Sequence, residues 1–329
     1  MKRLCKILSL VLIFVFVFST VLFAREDAPN THFITEREAN NQTFQAIPTE
    51  GYLPLVRRGS PNAMAINDEI DRIQNDAMAL ARRSRALSIY FSYDVVIGGA
   101  EDQYVSIIVG SETAIASTLQ RVDTIVISQE TREILTLTDI LGRNAVAIVT
   151  SVVEEYIANN SGFYTNVRLE ISEDHNFYIE GEMLYIIFNK YEIADGSMGI
   201  QKIGIELSNV INLTLEREEY HLSGLYGIRM VPLRLIAEAF GHRISWNEAS
   251  ETATITRNGT TNGTVSITIG SNRYTRITSR STPFETRLEM APELIDGSAH
   301  VPITFIDVML GLIYSIDPSG EITISEYRR

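Results

Sequence analysis

A loop in the middle of the chain combines an aromatic side chain with acidic ones. Tyr191, Glu192 and Asp195 follow an apolar segment and precede the glycines at positions 196 and 199, a composition typical of a surface loop. Because binding residues are found disproportionately on loops, this loop is a candidate binding edge. The alternative is that these side chains only pack the loop against the protein.

Arg234 is a further candidate binding residue, because the spacing of its neighbours places it on the polar side of a predicted helix. An exposed guanidinium in this position can bind an anionic group. Glu238 lies four residues further along the same helix. An intrahelical ion pair between the two side chains is therefore the alternative that the spacing favours.

The histidine spacing excludes the common zinc and copper sites. No two of the five histidines are separated by two, three or four residues: His32, His175, His221, His242 and His300. His242 follows a helix-ending glycine and is expected on the surface, whereas His175 is expected in a turn. The sequence also lacks a nucleophile elbow, a Walker loop and a dinucleotide fingerprint. We therefore predict no catalytic residue, no cofactor and no transition-metal site.

Calcium is the metal for which an alternative stays open. Asp94, Glu101 and Asp102 flank the turn at Gly98 and Gly99, and they could gather around one ion. They do not follow the Asp-x-Asp-x-Asp-Gly pattern of a calcium loop. Solvated loop charge is therefore the interpretation that the sequence favours.

Periodicity places these residues on an alternating set of helices and strands. Apolar residues at helical spacing predict helices from Asn67 to Ala86 and from about Arg143 to Ala158. Segments rich in valine, isoleucine, tyrosine and threonine predict strands at Ala86–Ile97, Gln103–Ser111, Thr118–Ser128, Phe177–Ile179, Met183–Phe188 and Gln201–Glu206. The loop that carries Tyr191 therefore joins two strands.

One short phrase occurs twice near the C-terminus, with the copies 70 residues apart. The copies read VPLRLIAEAFGHRISW from Val231 and VPITFIDVMLGLIYSI from Val301. Each predicts a helix that begins at the proline, a stop at the glycine and a following β-hairpin. Phe240 and Leu310 are expected at equivalent inward positions of one core, and Trp246 is expected to be buried. The repeat favours an assembly or binding module over a reaction.

The repeated phrase resembles the hallmark of the copper amine oxidase N-terminal-like domain, also called the stalk domain, of bacterial surface proteins. The resemblance covers residues 217 to 327 and is close in the first copy. The second copy has Thr304 in place of the hallmark arginine and Ile316 in place of the tryptophan. The resemblance implies a structural or wall-associated accessory module and not an oxidase.

Residues 45 to 210 resemble an α+β domain of unknown function. This domain forms the outer part of lysozyme-sensing anti-sigma factors and accompanies the catalytic domain of some secreted peptidoglycan deacetylases. The resemblance is carried by Tyr52, Ile66–Ile73, Leu135–Leu141, Phe177–Ile179, Phe188–Ala194 and the Met198-Gly199 pair. It implies a non-catalytic envelope domain, in one branch a binder of lysozyme. Six residues precede the N-terminal apolar run, which leaves no room for a sigma-binding segment, so an anti-sigma role is not expected.

The N-terminus has the layout of a signal peptide or of an uncleaved anchor. Three basic residues precede an apolar run from Ile7 to Phe23, which ends at Ala24. Because positive charge stays inside, the rest of the chain is expected to face outward in either case. The single cysteine, Cys5, lies before this run. The exported part can therefore form no disulfide and no thiolate metal site.

The chain is acidic, with a formal net charge of −13. The exported part is more acidic still, because three of the 28 basic residues lie in the leader. Such a surface disfavours nucleic acid and anionic membranes as partners. It favours cationic partners, although solubility alone is a sufficient reason for the charge.

These observations predict an α+β protein of two domains. We expect a leader over residues 1–24, a linker over 25–50, a mixed helix and antiparallel-sheet domain over 51–210 and a duplicated helix-plus-hairpin domain over 217–327. The two domains are expected to be separable near residues 208–224, where the strand pattern gives way to a polar run.

The function that we expect is that of an exported, non-catalytic bacterial envelope protein that binds or presents at the cell wall. It would be secreted, or anchored to the membrane by its N-terminal segment. One alternative is an extracytoplasmic sensor or binder of lysozyme-like proteins, and another is an accessory part of a wall-modifying enzyme system. The expected partner is a cell-wall polymer or an envelope protein, with no nucleic acid and no membrane contact beyond the N-terminal segment.

Overall fold

The described part of the protein excludes the N-terminus and several short segments. The computed structural model describes residues 31–39, 47–115, 118–164, 168–257, 263–277 and 283–328. The leader predicted for residues 1–24 lies outside these ranges. Within them, no helix combines the length and the apolar character that crossing a membrane requires.

The first domain is built on a six-stranded sheet with the order β1-β2-β3-β4-β5-β6. In chain order the strands are β1 (Ile34–Glu38), β2 (Thr49–Val56), β3 (Ser88–Gly98), β4 (Tyr104–Ala114), β5 (Thr118–Ser128) and β6 (Ile134–Leu135). Neighbours pair antiparallel except for β2 and β3, which are parallel. A parallel pair needs a crossover connection, and helix α1 (Ala63–Arg83) supplies it.

The prediction of a linker over residues 25–50 is wrong in part, because strand β1 lies within this range. Its sequence, Ile-Thr-Glu-Arg-Glu, is mostly polar, and it pairs with β2 over its whole length. So few apolar residues give no recognisable strand pattern, because the strand depends on its partner more than on its own composition. Helix α1 likewise begins at Ala63, before the predicted Asn67.

Helix α1 packs its apolar face on the six-stranded sheet. Ile66, Ile70 and Ile73 are each at most 2% exposed and share a core with strand residues such as Phe91. The approach of β2 to β3 requires glycine at position 51, where φ is +98° and a Cβ atom would lie 1.9 Å from the Phe91 carbonyl oxygen. The parallel pairing of β2 with β3 therefore requires glycine at position 51.

A three-stranded antiparallel sheet and two helices complete the first domain. The helices are α2 (Leu137–Leu141) and α3 (Ala145–Asn159), and the strands are β7 (Phe177–Glu180), β8 (Met183–Phe188) and β9 (Gln201–Glu206). A capping box between Thr136 and Asp139 begins α2. Residues of both helices and all three strands share one core with Val126 of β5, so this layer packs on the large sheet.

The two sheets of the first domain meet at Gly98. Gly98 pairs with Gly181, and a Cβ atom at position 98 would lie 2.7 Å from the Ile179 side chain. Ser106, which is fully buried, donates to the Ile179 carbonyl and accepts from the Ile179 N–H. The turn at Gly98 and Gly99 is thus a packing junction between sheets.

The second domain contains three further sheets. Its elements are β10 (Val210–Leu215), β11 (His221–Ser223), β12 (Ile228–Pro232), α4 (Leu233–Ala239), β13 (His242–Asn247), β14 (Thr252–Arg257), β15 (Thr264–Thr268), β16 (Arg273–Ile277), β17 (Phe284–Arg287), β18 (Glu293–Ile295), β19 (Ser298–Pro302), β20 (Ile313–Ile316) and β21 (Ile322–Tyr327). The sheet orders are β10-β21-β20, β11-β12-β19-β18 and β13-β14-β15-β16-β17. With the first domain, this architecture confirms the α+β class.

Both copies of the repeated phrase form a helical segment, a glycine stop and a hairpin, as predicted. Helix α4 is followed by Gly241 with φ of +71° and by the hairpin β13–β14. In the second copy, a π-helical segment at Ile306–Leu310 is followed by Gly311 with φ of +70° and by the hairpin β20–β21. Left-handed glycines end both segments because they adopt this conformation without steric cost.

The second copy does not place Leu310 where the sequence predicts. Leu310 is only partly buried, whereas Met309 is 1% exposed and Phe305 is fully buried against Tyr274. Phe240 in the first copy is 2% exposed, as expected. A π-helical segment has more residues per turn than an α-helix, so its inward face shifts along the sequence.

His242 and Trp246 also depart from their predicted places. His242 is 7% exposed instead of lying on the surface, because it begins strand β13 directly under helix α4. Trp246 is 39% exposed instead of buried. Alternation puts Trp246 on the same face of β13 as His242 and Ile244, but it lies near the turn of the hairpin, where the last three residues of the strand are all exposed.

A polar network with Asn144 and Ser325 at its buried centre joins the two domains. The Asn144 amide donates to the Thr323 carbonyl at 3.0 Å and to the Ser325 hydroxyl at 2.9 Å. Ser325 in turn donates to the Asn212 amide oxygen at 2.5 Å, and the Asn212 amide donates to the Leu141 carbonyl at 3.0 Å. These bonds connect the α2–α3 turn to strands β10 and β21. Strand β10, which lies inside the region 208–224 where the domains were predicted to separate, thus belongs to a sheet of the second domain.

An ion-pair cluster lies beside this network. Arg143 contacts Asp317 at 3.0 Å and Glu321 at 2.8 Å. The Ser319 hydroxyl, the Glu321 N–H and the Arg143 guanidinium stabilise the carboxylate and lower the pKa of Asp317 to about 2. The Asp317 carboxylate therefore stays ionised over the whole physiological range.

The shifted face of the second copy gives a first prediction. Met309→Ala should lower the free energy of unfolding by about 2–5 kcal/mol, since it leaves a cavity in the core. Leu310→Ala should cost only about 1 kcal/mol, because Leu310 is partly exposed. Urea unfolding of both variants measures the difference. Equal losses would contradict the assignment of Met309 as the inward residue.

The inter-domain network gives a second prediction. Asn144→Ala should destabilise the protein by about 1–3 kcal/mol, because it leaves buried acceptors without a donor. Asn160→Ala is the matched control at the opposite end of helix α3, since the Asn160 amide donates to the Tyr156 carbonyl in an exposed setting. Thermal unfolding followed by circular dichroism should show a lower melting temperature for Asn144→Ala alone.

Candidate functional site

The predicted loop residues have different structural roles. Tyr191 is 61% exposed and has φ of +72°. Its ring lies against Gly196, where a Cβ atom would come within 2.2 Å of the ring. Asp195 accepts a hydrogen bond from the Ser197 N–H at 2.9 Å, and this bond lowers the pKa of the Asp195 carboxyl. Tyr191 and Asp195 thus shape the loop.

Glu192 is the loop residue that the structure places in a cleft. Its carboxylate accepts a hydrogen bond from the Asn189 N–H at 2.8 Å. The Asn189 side chain in turn bonds both backbone groups of Val122 on β5, at 2.8 and 3.1 Å. Asn176 likewise accepts a hydrogen bond from the Thr124 N–H at 3.2 Å. Two asparagines therefore connect the wall of the cleft to strand β5.

The cleft has a volume of about 690 Å³ and lies in the first domain. Helix α1 forms one wall, β5 forms the floor, and the segment before β7 with the Glu192 loop forms the other wall. Its polar and charged lining residues are Glu69, Arg72, Arg121, Asp123, Thr124, Thr136, Ser172, Asp174, His175, Asn176 and Glu192. A volume in the range of about 300–1,000 Å³ suits a small-molecule or peptide ligand.

Two bidentate ion pairs dominate the charge of the cleft. Arg72 donates to both carboxylate oxygens of Glu69 at 2.8 and 2.5 Å, and also to Asp76 at 2.8 Å. Arg121 donates to both oxygens of Asp123 at 2.7 and 2.5 Å. These hydrogen bonds raise the pKa of both guanidiniums above the usual range. Bidentate pairs of this kind hold both partners in fixed positions.

His175 lies in the wall of the cleft as a neutral ring. Its Nε2 atom is 3.1 Å from the Ile187 carbonyl, so the neutral ring carries its proton there and donates it. Its ring packs on Phe188 with centroids 4.8 Å apart. Burial lowers the pKa of His175 and outweighs the opposing effects of Glu192 and the Ile187 carbonyl.

Sequence reasoning missed most of this cleft. Arg121 and Asp123 lie two residues apart on one strand and therefore share a face, which is a signal that periodicity could have supplied. Only the pairing of strand β7 with β8 brings Asp174, His175 and Glu192 close to Arg121 and Asp123. The sequence does not specify this strand pairing.

The remaining sequence candidates lie elsewhere. Arg234 pairs with Glu238 at 3.3 Å on the exposed face of α4, in the second domain. Of the three acidic residues considered for calcium, Asp94 accepts from the Val95 N–H at 2.8 Å. Within the described ranges, no three histidine, cysteine, aspartate or glutamate side chains gather in a way that could hold a metal ion.

Two family models match separate parts of the chain. Residues 226–324 match the copper amine oxidase N-terminal domain, and residues 138–208 match a protein family of unknown function, DUF3298. Both resemblances derived from the sequence are thereby confirmed, in the predicted order along the chain. Neither description names a catalytic activity for its domain, and both agree with a non-catalytic, envelope-type architecture.

Solved structures of two DUF3298 proteins are similar to part of the chain. The protein from Bacteroides fragilis NCTC 9343 is 12% identical, with a TM-score of 0.33, and the match covers 53% of this chain and 88% of that one. The protein from Pseudomonas aeruginosa PAO1 is 12% identical, with a TM-score of 0.32 and the same coverage. No curated protein sequence matches this chain. The assignment of the two family resemblances therefore rests on the family models.

The neutral, partly buried state of His175 predicts a pH dependence. Because its pKa is lower in the folded state, the unfolded chain takes up the proton first as the pH falls through about 6.5. The stability from neutral His175 is complete above that pH and is lost as the pH falls towards the folded pKa. We expect a lower melting temperature at pH 5 than at pH 7.5.

His175→Gln should reduce this decline, because glutamine keeps a donor for the Ile187 carbonyl but does not titrate. Part of the decline should remain, since burial also lowers the pKa of His300. The exposed His32→Gln is the control and should leave the decline unchanged. A decline unaffected by His175→Gln would contradict the prediction.

Proposed function

We propose that this chain is an exported, non-catalytic bacterial envelope protein that binds a cell-wall polymer through the cleft of its first domain. The signal-peptide layout of the N-terminus supports export, and the two family matches support an envelope-type architecture. The observation that carries the proposal is the charged cleft, in which the ionisable groups hold one another in place.

Because these groups are already paired with one another, the cleft is better suited to binding a ligand than to catalysis. A nucleophile or a general base needs an activating partner and a group that is free to take up a proton. In the cleft, Arg72 and Arg121 are occupied by bidentate carboxylates, and the hydrogen bond from Nε2 to the Ile187 carbonyl fixes the position of the His175 ring. Fixed polar groups of this kind suit a binding surface, because their geometry is set before the ligand arrives.

The charge of the cleft indicates the chemistry of its ligand. Four carboxylates and two guanidiniums line it, and the guanidiniums are neutralised by Glu69 and Asp123. Asp174 and Glu192 then leave an excess of negative charge. A polymer with ammonium groups, such as the free amino groups of wall peptides, complements this excess, and the net charge of −13 adds long-range attraction.

The same negative excess favours a second candidate function, the binding of a basic protein of the lysozyme type. A basic protein would be attracted by the same acidic surface and would present lysine and arginine side chains to the cleft. The two candidates differ in the physical state of the partner, because one is an insoluble polymer and the other is a soluble protein.

Sedimentation of the purified protein with peptidoglycan, and capture on immobilised lysozyme, separates the candidates. Retention on peptidoglycan should weaken by roughly two- to tenfold in Glu192→Gln, which removes one charge and keeps the acceptor for Asn189. Glu248→Gln, at an exposed position of the second domain, is the charge-matched control. Retention on lysozyme alone would favour the second candidate, and retention on neither would refute both.

A further inference from the structure

A recess in the second domain is separate from the cleft. It has a volume of about 240 Å³ and lies between α4, the hairpin β13–β14 and the hairpin β18–β19. Its lining residues are Arg234, Ile244, Trp246, Ala253, Leu294, Gly297, Ser298 and Ala299. The volume lies below the range of about 300–1,000 Å³ for larger ligands, so it suits a single ring.

The recess exists because a small residue lies opposite a large one. Trp246 pairs with Ala253 across the hairpin, and Ala253 is 1% exposed. Cross-strand neighbours normally cover one another, but a methyl group is too small to cover an indole ring. Part of the Trp246 ring therefore stays uncovered beside the space above Ala253, and 39% of the residue is exposed.

The opposite wall is rigid. Strands β18 and β19 are joined by Asp296 and Gly297, whose φ angles are +49° and +76°. Two consecutive residues with positive φ form the tight hairpin turn that fixes the register of its strands. This register pairs Leu294 with Ala299, and the exposed Leu294 side chain adds a second apolar surface to the recess.

Arg234 brings a positive charge to the edge of the recess. Its contact with Glu238 joins one guanidinium nitrogen to the carboxylate at 3.3 Å, with both side chains more than half exposed. A guanidinium carries five N–H donors, so this single contact leaves most of its donor capacity for a ligand. An exposed pair of this kind is also weak and can be replaced by a better acceptor.

We propose that this recess binds one ring of an acidic sugar. The flat indole of Trp246 packs against the C–H face of the ring, which is apolar, as aromatic rings do with other apolar surfaces. The guanidinium of Arg234 binds a carboxylate or phosphate on that ring with the two parallel hydrogen bonds that it favours. This proposal rests on the proposed envelope location in one respect only, which is that acidic sugars are available there.

The charge argues for a sugar with an acidic substituent over a neutral one. The chain as a whole repels anions, so a lone sugar acid would be disfavoured at most of the surface. Arg234 supplies the local cation that reverses this preference at the recess. The competing occupant is an aromatic or aliphatic side chain of a partner protein, which would need no such cation.

The tryptophan makes the proposal directly measurable. Trp246 is the only tryptophan of the chain, so intrinsic fluorescence reports on the recess alone. The purified protein should be titrated with the disaccharide of N-acetylglucosamine and N-acetylmuramic acid, which carries a carboxylate, and with neutral diacetylchitobiose. A glucose phosphate arm distinguishes phosphate from carboxylate as the acidic group.

We expect a saturable change of emission with an acidic sugar, at an affinity about tenfold higher than for the neutral one. Arg234→Gln should remove this discrimination and leave the neutral sugar unaffected. Glu238→Gln should strengthen binding of the acidic sugar, because it removes the competing carboxylate. Arg273→Gln is the control, since Arg273 forms an equally exposed pair with Glu285 at 3.2 Å in the same domain.

The opposite results overturn the proposal. Equal binding of acidic and neutral sugars, or loss of binding in Arg273→Gln to the same degree as in Arg234→Gln, would show that Arg234 has no specific role. If no sugar changed the emission, the proposal would be refuted, and a side chain of a partner protein would be the favoured occupant of the recess. These outcomes are independent of sedimentation with peptidoglycan, because Glu192→Gln acts in the first domain and does not alter the fluorescence titration.

Discussion

The arrangement of this protein depends on the hydrogen bonds that connect the buried Asn144 and Ser325 to each other and to Asn212 at the surface. A buried amide is costly without partners, so each member fixes the position of the next. Strand β21 consequently serves two domains at once. It completes the hairpin of the second repeat and pairs with β10, and its residues also receive the Asn144 amide from the first domain. Strand β21 thus contacts both domains.

The two copies of the repeat have diverged because their surroundings differ. Hairpin β20–β21 is covered by β10, and Ile316 of the second copy packs against the core. The equivalent position in the first copy is Trp246, on the edge strand of a different sheet, where 39% of the residue is exposed. One copy therefore uses its hairpin to join the domains, while the other leaves an aromatic ring available at the surface.

The two candidate sites have opposite charge. The cleft beside Glu192 has an excess of carboxylates, and the recess beside Trp246 has a guanidinium at its edge. A polymer that carries both amino groups and acidic groups would complement both. Because the inter-domain network holds the domains together, the second contact would be made without a further loss of freedom, and linked contacts of this kind raise the overall affinity.

The sequence by itself determined the local elements and the class of the protein. Strands 183–188 and 201–206, the helix–glycine–hairpin repeat and both family resemblances follow from periodicity and short motifs, since these report on neighbours along the chain. Only the tertiary structure decided what lies in the cleft, because Arg72, Asp123 and His175 come from distant segments. It also decided the exposure of Trp246 and the inward position of Met309, since burial depends on which elements pack against a hairpin and on how many residues a helical turn contains.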